Sequence, residues 1–155
     1  MGFQKEIKAT MGVANPGDIV EAINSHSLMH QMITEDNECK VGSFVRKGSS
    51  VNGCVNAAGT SDVIGIIVND KYYTSSDEGV TLPAGTSVTV AVFGVIAVTN
   101  TFTAAATFND KVYVKESDGT LVFAPFTASG TVGNTDTGWN VKQGCEPGDI
   151  AFLVK

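Results

Sequence analysis

The chain has 155 residues, a net charge of −6 at pH 7 and a charged fraction of only 17%. That length suits one domain with its own hydrophobic core and is short for two. An acidic chain with no cluster of Lys or Arg is a poor candidate for binding nucleic acid, and no run reaches the roughly 20 apolar residues that cross a membrane.

Residues 1–14 contain three apolar side chains at a spacing of four, Phe3, Ile7 and Met11. This spacing fits a short helix with one apolar stripe, or an extended arm that lies on a neighbouring molecule. Because nothing in the segment would hold it to a core of its own, we predict an N-terminal arm over 1–14 and a single β-sandwich domain over 15–155. The three side chains are then candidate interface residues; the alternative is that the arm folds back onto its own sandwich.

The tetrapeptide Pro-Gly-Asp-Ile occurs twice, at residues 16–19 and 147–150. Proline pre-sets φ for the second position of a β-turn, and glycine adopts the positive φ that a type II turn requires at the third. Each copy leads into a short apolar run, as at the beginning of a strand. The repeated phrase therefore predicts a tight corner that feeds a strand near each end of an all-β domain.

Residues 24–37 form the least strand-like stretch, and we expect a long loop there with one or two helical turns over Leu28, Met29, Met32 and Ile33. Methionine adapts to irregular surfaces. The first three of these residues are therefore candidates for a second contact with a partner. The alternative is that they plug one end of the folded barrel.

From Glu38 onward, short apolar runs end in Gly or Asn-Asp, a pattern typical of strands joined by turns. The longest run, residues 86–99, alternates at period two, which indicates a half-buried strand. Its more apolar face carries Val88, Val90, Val92, Ile96 and Val98. Fully extended, the run would reach roughly 40 Å, so we expect Gly94 to mark a bulge or bend that takes the strand from one sheet to another.

Residues 111–124 predict a β-hairpin, in which Val112 and Val114 share one face and an Asp-Gly pair forms the turn. Further along, Trp139 and Val141 alternate with polar neighbours, so burial of the Trp in the core is the favoured interpretation. Nine or ten short strands at these spacings are typical of an antiparallel sandwich or a closed barrel.

The sequence offers little for catalysis or metal binding. His26 and His30 could share a metal ion if they lay on a helix, but the HExxH arrangement is missing, which favours two exposed loop histidines. Cys39, Cys54 and Cys145 lack CxxC spacing, so we expect reduced, partly buried thiols; a disulfide between two of them is the alternative. No GxSxG, P-loop or dinucleotide motif is present. We therefore predict that the protein is not an enzyme and uses no metal or cofactor.

Several segments together resemble a known family. They read MGFQKEI, PGDIV, CKVGSFVRKG, VIGIIVND, TLPAGTSVTVAVFGVIAV, NDKVYVKESDGTLVFA and GWNVKQGCEPGDIAFLV. In this order they look like the cement (decoration) proteins of tailed-bacteriophage capsids, over essentially the whole chain. The resemblance implies a jelly-roll-like antiparallel β-sandwich or barrel, without catalysis or cofactor.

The resemblance also implies a function. It predicts a structural protein of the virion that binds the outer surface of the head and stabilises the capsid by bridging major capsid protein subunits. Its partners would be the major capsid protein and further copies of itself, as a homodimer or homotrimer. Synthesis in the host bacterial cytoplasm would keep the cysteines reduced.

Two other classes of function are weighed against this one. A carbohydrate- or receptor-binding β-module of a phage fibre would use exposed aromatic rings, for which Trp139, Tyr72 and Tyr73 are the candidates. A small hydrolase on a β-scaffold would need Cys39, Cys54 or a carboxylate pair to meet His26 in space.

Overall fold

The structure is a computed structural model that describes residues 14–21, 29–69, 81–127, 130 and 132–155. These residues form thirteen β-strands and no helix. The strands are β1 (Ile19–Glu21), β2 (Met29–Thr34), β3 (Cys39–Lys40), β4 (Phe44–Lys47), β5 (Gly53–Asn56), β6 (Val63–Ile67), β7 (Thr81–Leu82), β8 (Ser87–Ala91), β9 (Val95–Thr99), β10 (Lys111–Lys115), β11 (Leu121–Ala124), β12 (Asn134–Gln143) and β13 (Ile150–Val154). The predicted all-β fold is confirmed, and the count exceeds the nine or ten expected because several strands have only two or three residues. Within the described ranges, no helix has the length and apolar character needed to cross a membrane.

The strands form one open sheet, one barrel and one ribbon. Six strands make an antiparallel sheet in the order β1-β9-β13-β12-β10-β11, and five close into a barrel in the order β2-β5-β4-β6-β8. The ribbon consists of β3 and β7, and the β2–β5 pair is parallel. Because β1 and β9 pair side by side, with Ile19 opposite Ile96, the chain leaves the open sheet after one strand, builds the barrel and returns beside its starting point.

The crossing from barrel to open sheet lies where the sequence predicts it. β8 ends at Ala91 in the barrel, and β9 begins at Val95 in the sheet. Between them Gly94 has a φ of 129°, a conformation that residues with a side chain rarely adopt. The expected half-burial holds for β8 but not for β9, where Val95 and Ala97 are fully buried on the face opposite Ile96.

Both Pro-Gly-Asp-Ile segments form the predicted turns. In each, the amide of the Asp donates to the carbonyl oxygen three residues earlier, at 3.0 Å in the first copy and 3.2 Å in the second. Gly17 and Gly148 have φ values of 86° and 87°, as type II turns require at the third position. The strands that follow the two turns, β1 and β13, pair with opposite sides of β9.

The described residues pack into two hydrophobic cores. Alternate residues of a strand face opposite sides, so neighbours such as Phe44 and Val45 on β4 belong to different cores. The barrel core contains Cys39, Val41, Val45, Cys54, Ile67, Leu82, Val88 and Val90. The shared core, between barrel and sheet, includes Phe44, Ile66 and Ala91 from the barrel and Ile96, Val112, Val114, Trp139, Val141 and Leu153 from the sheet.

Trp139 is 1% exposed, and its ring meets Phe44 edge-on at a centroid distance of 6.1 Å. The predicted burial of this Trp is therefore confirmed. The predicted hairpin is confirmed as well, with Val112 of β10 opposite Phe123 of β11 and a positive φ at Gly119 in the turn.

Arg46 connects the barrel to the open sheet through hydrogen bonds. Its fully buried guanidinium donates to the carbonyl oxygens of Ala57 and Ser61, and to Thr135 Oγ1 of β12 at 3.2 Å. Burial lowers the pKa of Arg46, whereas the nearby Glu116 carboxylate raises it. The hydrogen bonds of this buried cation satisfy its charge, and with the shared core they connect the barrel to the open sheet.

The helical turns expected in residues 24–37 are wrong from Met29 onward. Residues 29–34 form β2, which pairs with β8 in continuous antiparallel register from Met29 opposite Ala91 to Ile33 opposite Ser87. The reason is tertiary: all five residues of β8 pair with β2, and strand formation depends on such packing partners more than on local preference. Leu28 lies outside the described residues.

Candidate interaction surfaces

The predicted interface residues are distributed over described and undescribed parts of the chain. Phe3, Ile7, Met11 and Leu28 lie outside the described residues. Met29 is half-buried against the shared core, and Met32 is half-buried against the barrel core. That these six residues contribute to an interface stays a prediction.

A first apolar surface lies on the barrel, at the loop between β4 and β5. We call residues 48–53, which are this loop and the first residue of β5, the barrel loop. Val51, near its tip, is 96% exposed, and Ile33 on the adjacent strand β2 is 49% exposed. The Ile33 amide donates to the carbonyl oxygen of Asn52 at 2.8 Å, so strand and loop are joined at this surface.

The barrel loop is held by an internal carboxylate. Glu35 Oε2 accepts hydrogen bonds from the amide and hydroxyl of Ser49 at 2.7 and 3.0 Å. Oε1 accepts from the Ser50 amide at 2.7 Å and from the Ser50 hydroxyl. These bonds, the Ser50 hydroxyl first, lower the pKa of Glu35 to about 2. The carboxylate therefore stays ionised at neutral pH and holds both serines in place.

A second apolar surface lies at one end of the open sheet. Phe108 precedes β10 and is 72% exposed, and Phe126 follows β11 and is 57% exposed. Lys111 and Ala124 are opposite each other in the β10–β11 register, which places both flanking segments at the same end of the sheet. The Lys111 ammonium lies 5.3 Å from the centroid of the Phe126 ring, within range of a cation–π interaction. We call Phe108, Lys111 and Phe126 the sheet-end patch.

The cysteines are placed for packing. Cys39 and Cys54 are fully buried in the barrel core, Cys145 is half-buried, and all three are free thiols, as predicted. The Cys39 thiol contacts Asp36 Oδ1 at 3.2 Å, and the neighbouring Cys54, burial and Asp36 raise the pKa of Cys39. A buried thiol with a raised pKa is a poor nucleophile.

The histidine and acidic residues do not assemble a metal site in the described ranges. No group of three or more His, Cys, Asp or Glu side chains there could hold a metal ion. His30 is exposed on strand β2 instead of lying on the helix that a shared metal would need, and His26 lies outside the described residues.

Sequence reasoning missed the three most exposed groups of the two surfaces, Val51, Phe108 and Phe126. A usable signal was present: each lies in a turn segment among Ser, Asn, Asp, Gly or Pro, where no strand face can bury it. The period-two alternation that marks strands gives no sign of an apolar residue in a turn. Of the three aromatic candidates for carbohydrate or receptor binding, Trp139 is buried, and Tyr72 and Tyr73 lie outside the described residues.

Comparison with known proteins supports the resemblance seen in the sequence. A solved chain described as "The capsid of Myoviridae Phage XM1" has a similar fold, with a TM-score of 0.68 over 99% of this chain and 97% of that chain at 16% sequence identity. None of the curated proteins matches the sequence. Residues 3–154 match the family model of the structural cement protein (E217 gp24/Pam3 gp6). This match indicates a structural role in a phage capsid, association with capsid proteins and a place in the virion. Because it spans nearly the whole sequence, the chain belongs to the family of phage structural cement proteins.

Proposed function

We propose that the protein binds the outer surface of a phage head and stabilises the shell by bridging neighbouring subunits of the major capsid protein. Family membership supports association with the capsid. The observation that carries the bridging role is that exposed apolar groups lie on both halves of one body: Val51 on the barrel, and Phe108 and Phe126 on the open sheet. A single compact body with two separate contact surfaces suits a bridge between two partners.

The stabilisation follows from binding equilibria, without catalysis or a cofactor. A protein that binds the assembled shell but not free subunits stabilises the shell by mass action. Once one surface is bound, the other binds its partner at a high effective concentration, because both belong to the same body. Two weak contacts then give strong retention on the shell.

The N-terminal segment is the third contact in this proposal. Its apolar side chains recur every four residues, and on the shell they would lie against a capsid subunit or a sister copy. A homodimer on a twofold axis or a homotrimer on a threefold axis would repeat these contacts by symmetry. The expected contact residues are Phe3, Ile7, Met11, Leu28, Met29 and Met32.

The direct test adds the purified full-length protein to matching phage heads that lack it. We expect the protein to co-sediment with the heads and to raise the temperature, or the chelator concentration, at which they break open. Binding to isolated capsid subunits should be weaker than binding to assembled heads, because bridging needs two neighbours. Equal binding to both, with no gain in head stability, would contradict the cement function.

Deletion of residues 1–14 tests the arm. We expect at least about a tenfold loss of head affinity, since burial of even one large apolar side chain contributes roughly 1.5 kcal/mol or more. The melting temperature of the isolated protein should change little. A full-length variant with Phe3, Ile7 and Met11 changed to Ser is the matched control for chain length, and it should lose the same affinity. A folded deletion variant that binds heads as tightly as the full chain would contradict the arm assignment.

The exposed rings of Phe108 and Phe126 also fit the second candidate function, carbohydrate or receptor binding, because aromatic faces stack on sugar rings. A glycan array separates the two functions. Clean binding to one glycan that is lost on changing both rings to Ser would favour the receptor-binding function. Absence of glycan binding together with retention on heads would favour the cement function.

A further inference from the structure

The barrel loop combines an exposed apolar tip with an unusually well-fixed base. A single exposed hydrophobic residue is ordinary on a protein surface, so the 96% exposure of Val51 would mean little alone. Around it, however, the Gly48 amide donates to the Gly53 carbonyl oxygen at 2.9 Å, and the Gly53 amide donates to the Ser50 carbonyl oxygen at 3.2 Å. These bonds add to the four that Glu35 accepts from the two serines.

The two glycines make room for the carboxylate. A Cβ at either Gly48 or Gly53 would overlap the Glu35 carboxylate. Neither residue has the positive φ that would call for glycine on backbone grounds. Their lack of a side chain therefore serves the Glu35 contact, and the whole segment is built around it.

We call the Glu35 carboxylate and its hydrogen bonds to Ser49 and Ser50 the clamp. The clamp stabilises the loop over a wide pH range. Because the folded-state pKa of Glu35 is lowered to about 2, the stability gained from its ionised form is present above the ordinary carboxyl pKa. That contribution is lost only as the pH falls toward about 2. Near neutral pH Glu35 is therefore ionised and accepts the hydrogen bonds from Ser49 and Ser50.

The loop has no charged group of its own. Residues 48–53 contain no charged side chain, and the carboxylate that contacts them has its oxygens occupied by serine donors. On a chain of net charge −6, the loop presents one apolar side chain, Val51, flanked by Ser and Asn and adjoining the half-exposed Ile33 of β2. The core of a protein–protein interface has this composition, with charges depleted and polar groups at the rim. A charged ligand would find no complementary charged side chain within residues 48–53.

From this geometry we infer that the barrel loop is a preformed peg that inserts Val51 into an uncharged, apolar pocket of a capsid protein subunit. The inference rests on the proposed cement function and names the contact through which the barrel would act. A loop held by this many internal hydrogen bonds binds with a smaller ordering cost, which raises affinity for a given contact area. A second copy is a poorer occupant, because a twofold contact at this site would place a convex tip against an identical convex tip.

The test compares Val51→Ser with Val132→Ser in the full-length protein. Val132 is also fully exposed, at 105%, but lies in another turn. We expect V51S to bind heads about tenfold more weakly than the wild type, and V132S to bind as the wild type does. Both variants should keep the wild-type melting temperature. The peg contact should also be insensitive to salt, so the ratio of wild-type to V51S affinity should be the same at low and high ionic strength.

Glu35→Gln tests the clamp with Val51 still in place. An amide offers one acceptor oxygen and an NH2 group that cannot accept from the serine donors. We expect faster hydrogen exchange at the Ser49 and Ser50 amides and a several-fold loss of head affinity. Exchange that accelerates without any loss of affinity would show that preorganisation of the loop does not contribute to binding.

The outcomes separate the two proposals. If the wild type binds heads and V51S binds equally well, the peg is overturned and the cement function stands. If V51S alters self-association in sedimentation velocity while head binding is unchanged, the occupant is a second copy and the peg is likewise overturned. If the wild type does not bind heads at all, the cement function fails, and the peg fails with it.

Discussion

Gly17 and Gly148 occupy the same position in two copies of one tetrapeptide, and their φ values, 86° and 87°, are nearly the same. Gly17 is nevertheless buried and Gly148 is exposed. The Gly17 amide donates to the Ala97 carbonyl oxygen of β9 at 2.7 Å, and its carbonyl oxygen accepts from the Asn69 amide at 2.9 Å. The first corner therefore joins the open sheet to the segment that follows barrel strand β6.

A second turn packs against this corner from the barrel side. Gly42, between β3 and β4, has a φ of 77° and donates its amide to the Ile67 carbonyl oxygen at 2.8 Å. The two turns approach so closely that Gly42 has no room for a Cβ beside Pro16. At the other corner the bonds go to Asn100, at the end of β9: the Gly148 amide donates to the Asn100 carbonyl oxygen at 2.9 Å, and the Asn100 amide donates to the Asp149 carbonyl oxygen at 2.8 Å. One local turn thus serves as a joint between two sheets in one place and as a surface turn in the other.

The largest expected effect is at Gly42. In Gly42→Ala the new Cβ would overlap Pro16 and lie 2.6 Å from the Gly17 amide nitrogen. Backbone and a proline ring cannot move aside cheaply, so the free energy of unfolding should fall by about 3 kcal/mol or more. Gly85→Ala is the matched control, because Gly85 has a φ of 85° and no atom within 4 Å of a Cβ. Urea denaturation of both variants gives the comparison, and equal losses would contradict a joint at Gly42.

The two corner glycines give the next largest difference. In Gly17→Ala the Cβ would lie 2.8 Å from the Asn69 amide nitrogen and 2.9 Å from the Ile67 carbonyl oxygen. In Gly148→Ala it would meet nothing within 4 Å. Both variants carry the strain of an alanine at positive φ, about 1 kcal/mol, and only the first adds overlap, roughly a further 1–3 kcal/mol. Thermal unfolding should therefore rank wild type above G148A and G148A well above G17A. Coincident melting curves for the two variants would show that the corners are equivalent.

The contrast between the corners shows which structural features could be predicted from the sequence. Turn type is decided by the local residues, and so Pro-Gly-Asp-Ile predicts both turns and the strands after them. The bend at Gly94 was likewise predictable, because a glycine interrupts an alternating run too long for one strand. The burial of Gly17 could not be predicted, because Asn69 and Gly42 pack against it only when the barrel closes.

The same distinction applies to the candidate surfaces. β2 looked like a loop because Met29 faces the shared core and Met32 faces the barrel core, so no single apolar face shows in the sequence. The clamp on the barrel loop was also hidden. Glu35 and Ser50 are 15 residues apart in the chain, and their contact depends on how β2, β4 and β5 assemble.

The smallest expected difference concerns the aspartates of the two corners. Asp18 Oδ2 accepts from the Asn15 amide at 2.8 Å, and Oδ1 accepts from the Asn69 side-chain amide at 3.1 Å. The Asp149 carboxylate accepts no hydrogen bond from the described part of the chain and is exposed. Asp18→Ala should therefore lower the free energy of unfolding by about 1 kcal/mol, and Asp149→Ala should change it by no more than about 0.5 kcal/mol.

A double-mutant cycle assigns that loss to the joint. If the bond between the Asp18 and Asn69 side chains helps to hold barrel and sheet together, D18A and N69A should be coupled by about 0.5 kcal/mol or more. Asn69→Ala combined with D149A serves as the control pair and should be additive, because those residues belong to different corners. Additivity in both pairs would reduce the role of Asp18 to its own turn. The first corner would then act as a joint only through its backbone and the close packing of Gly17 and Gly42.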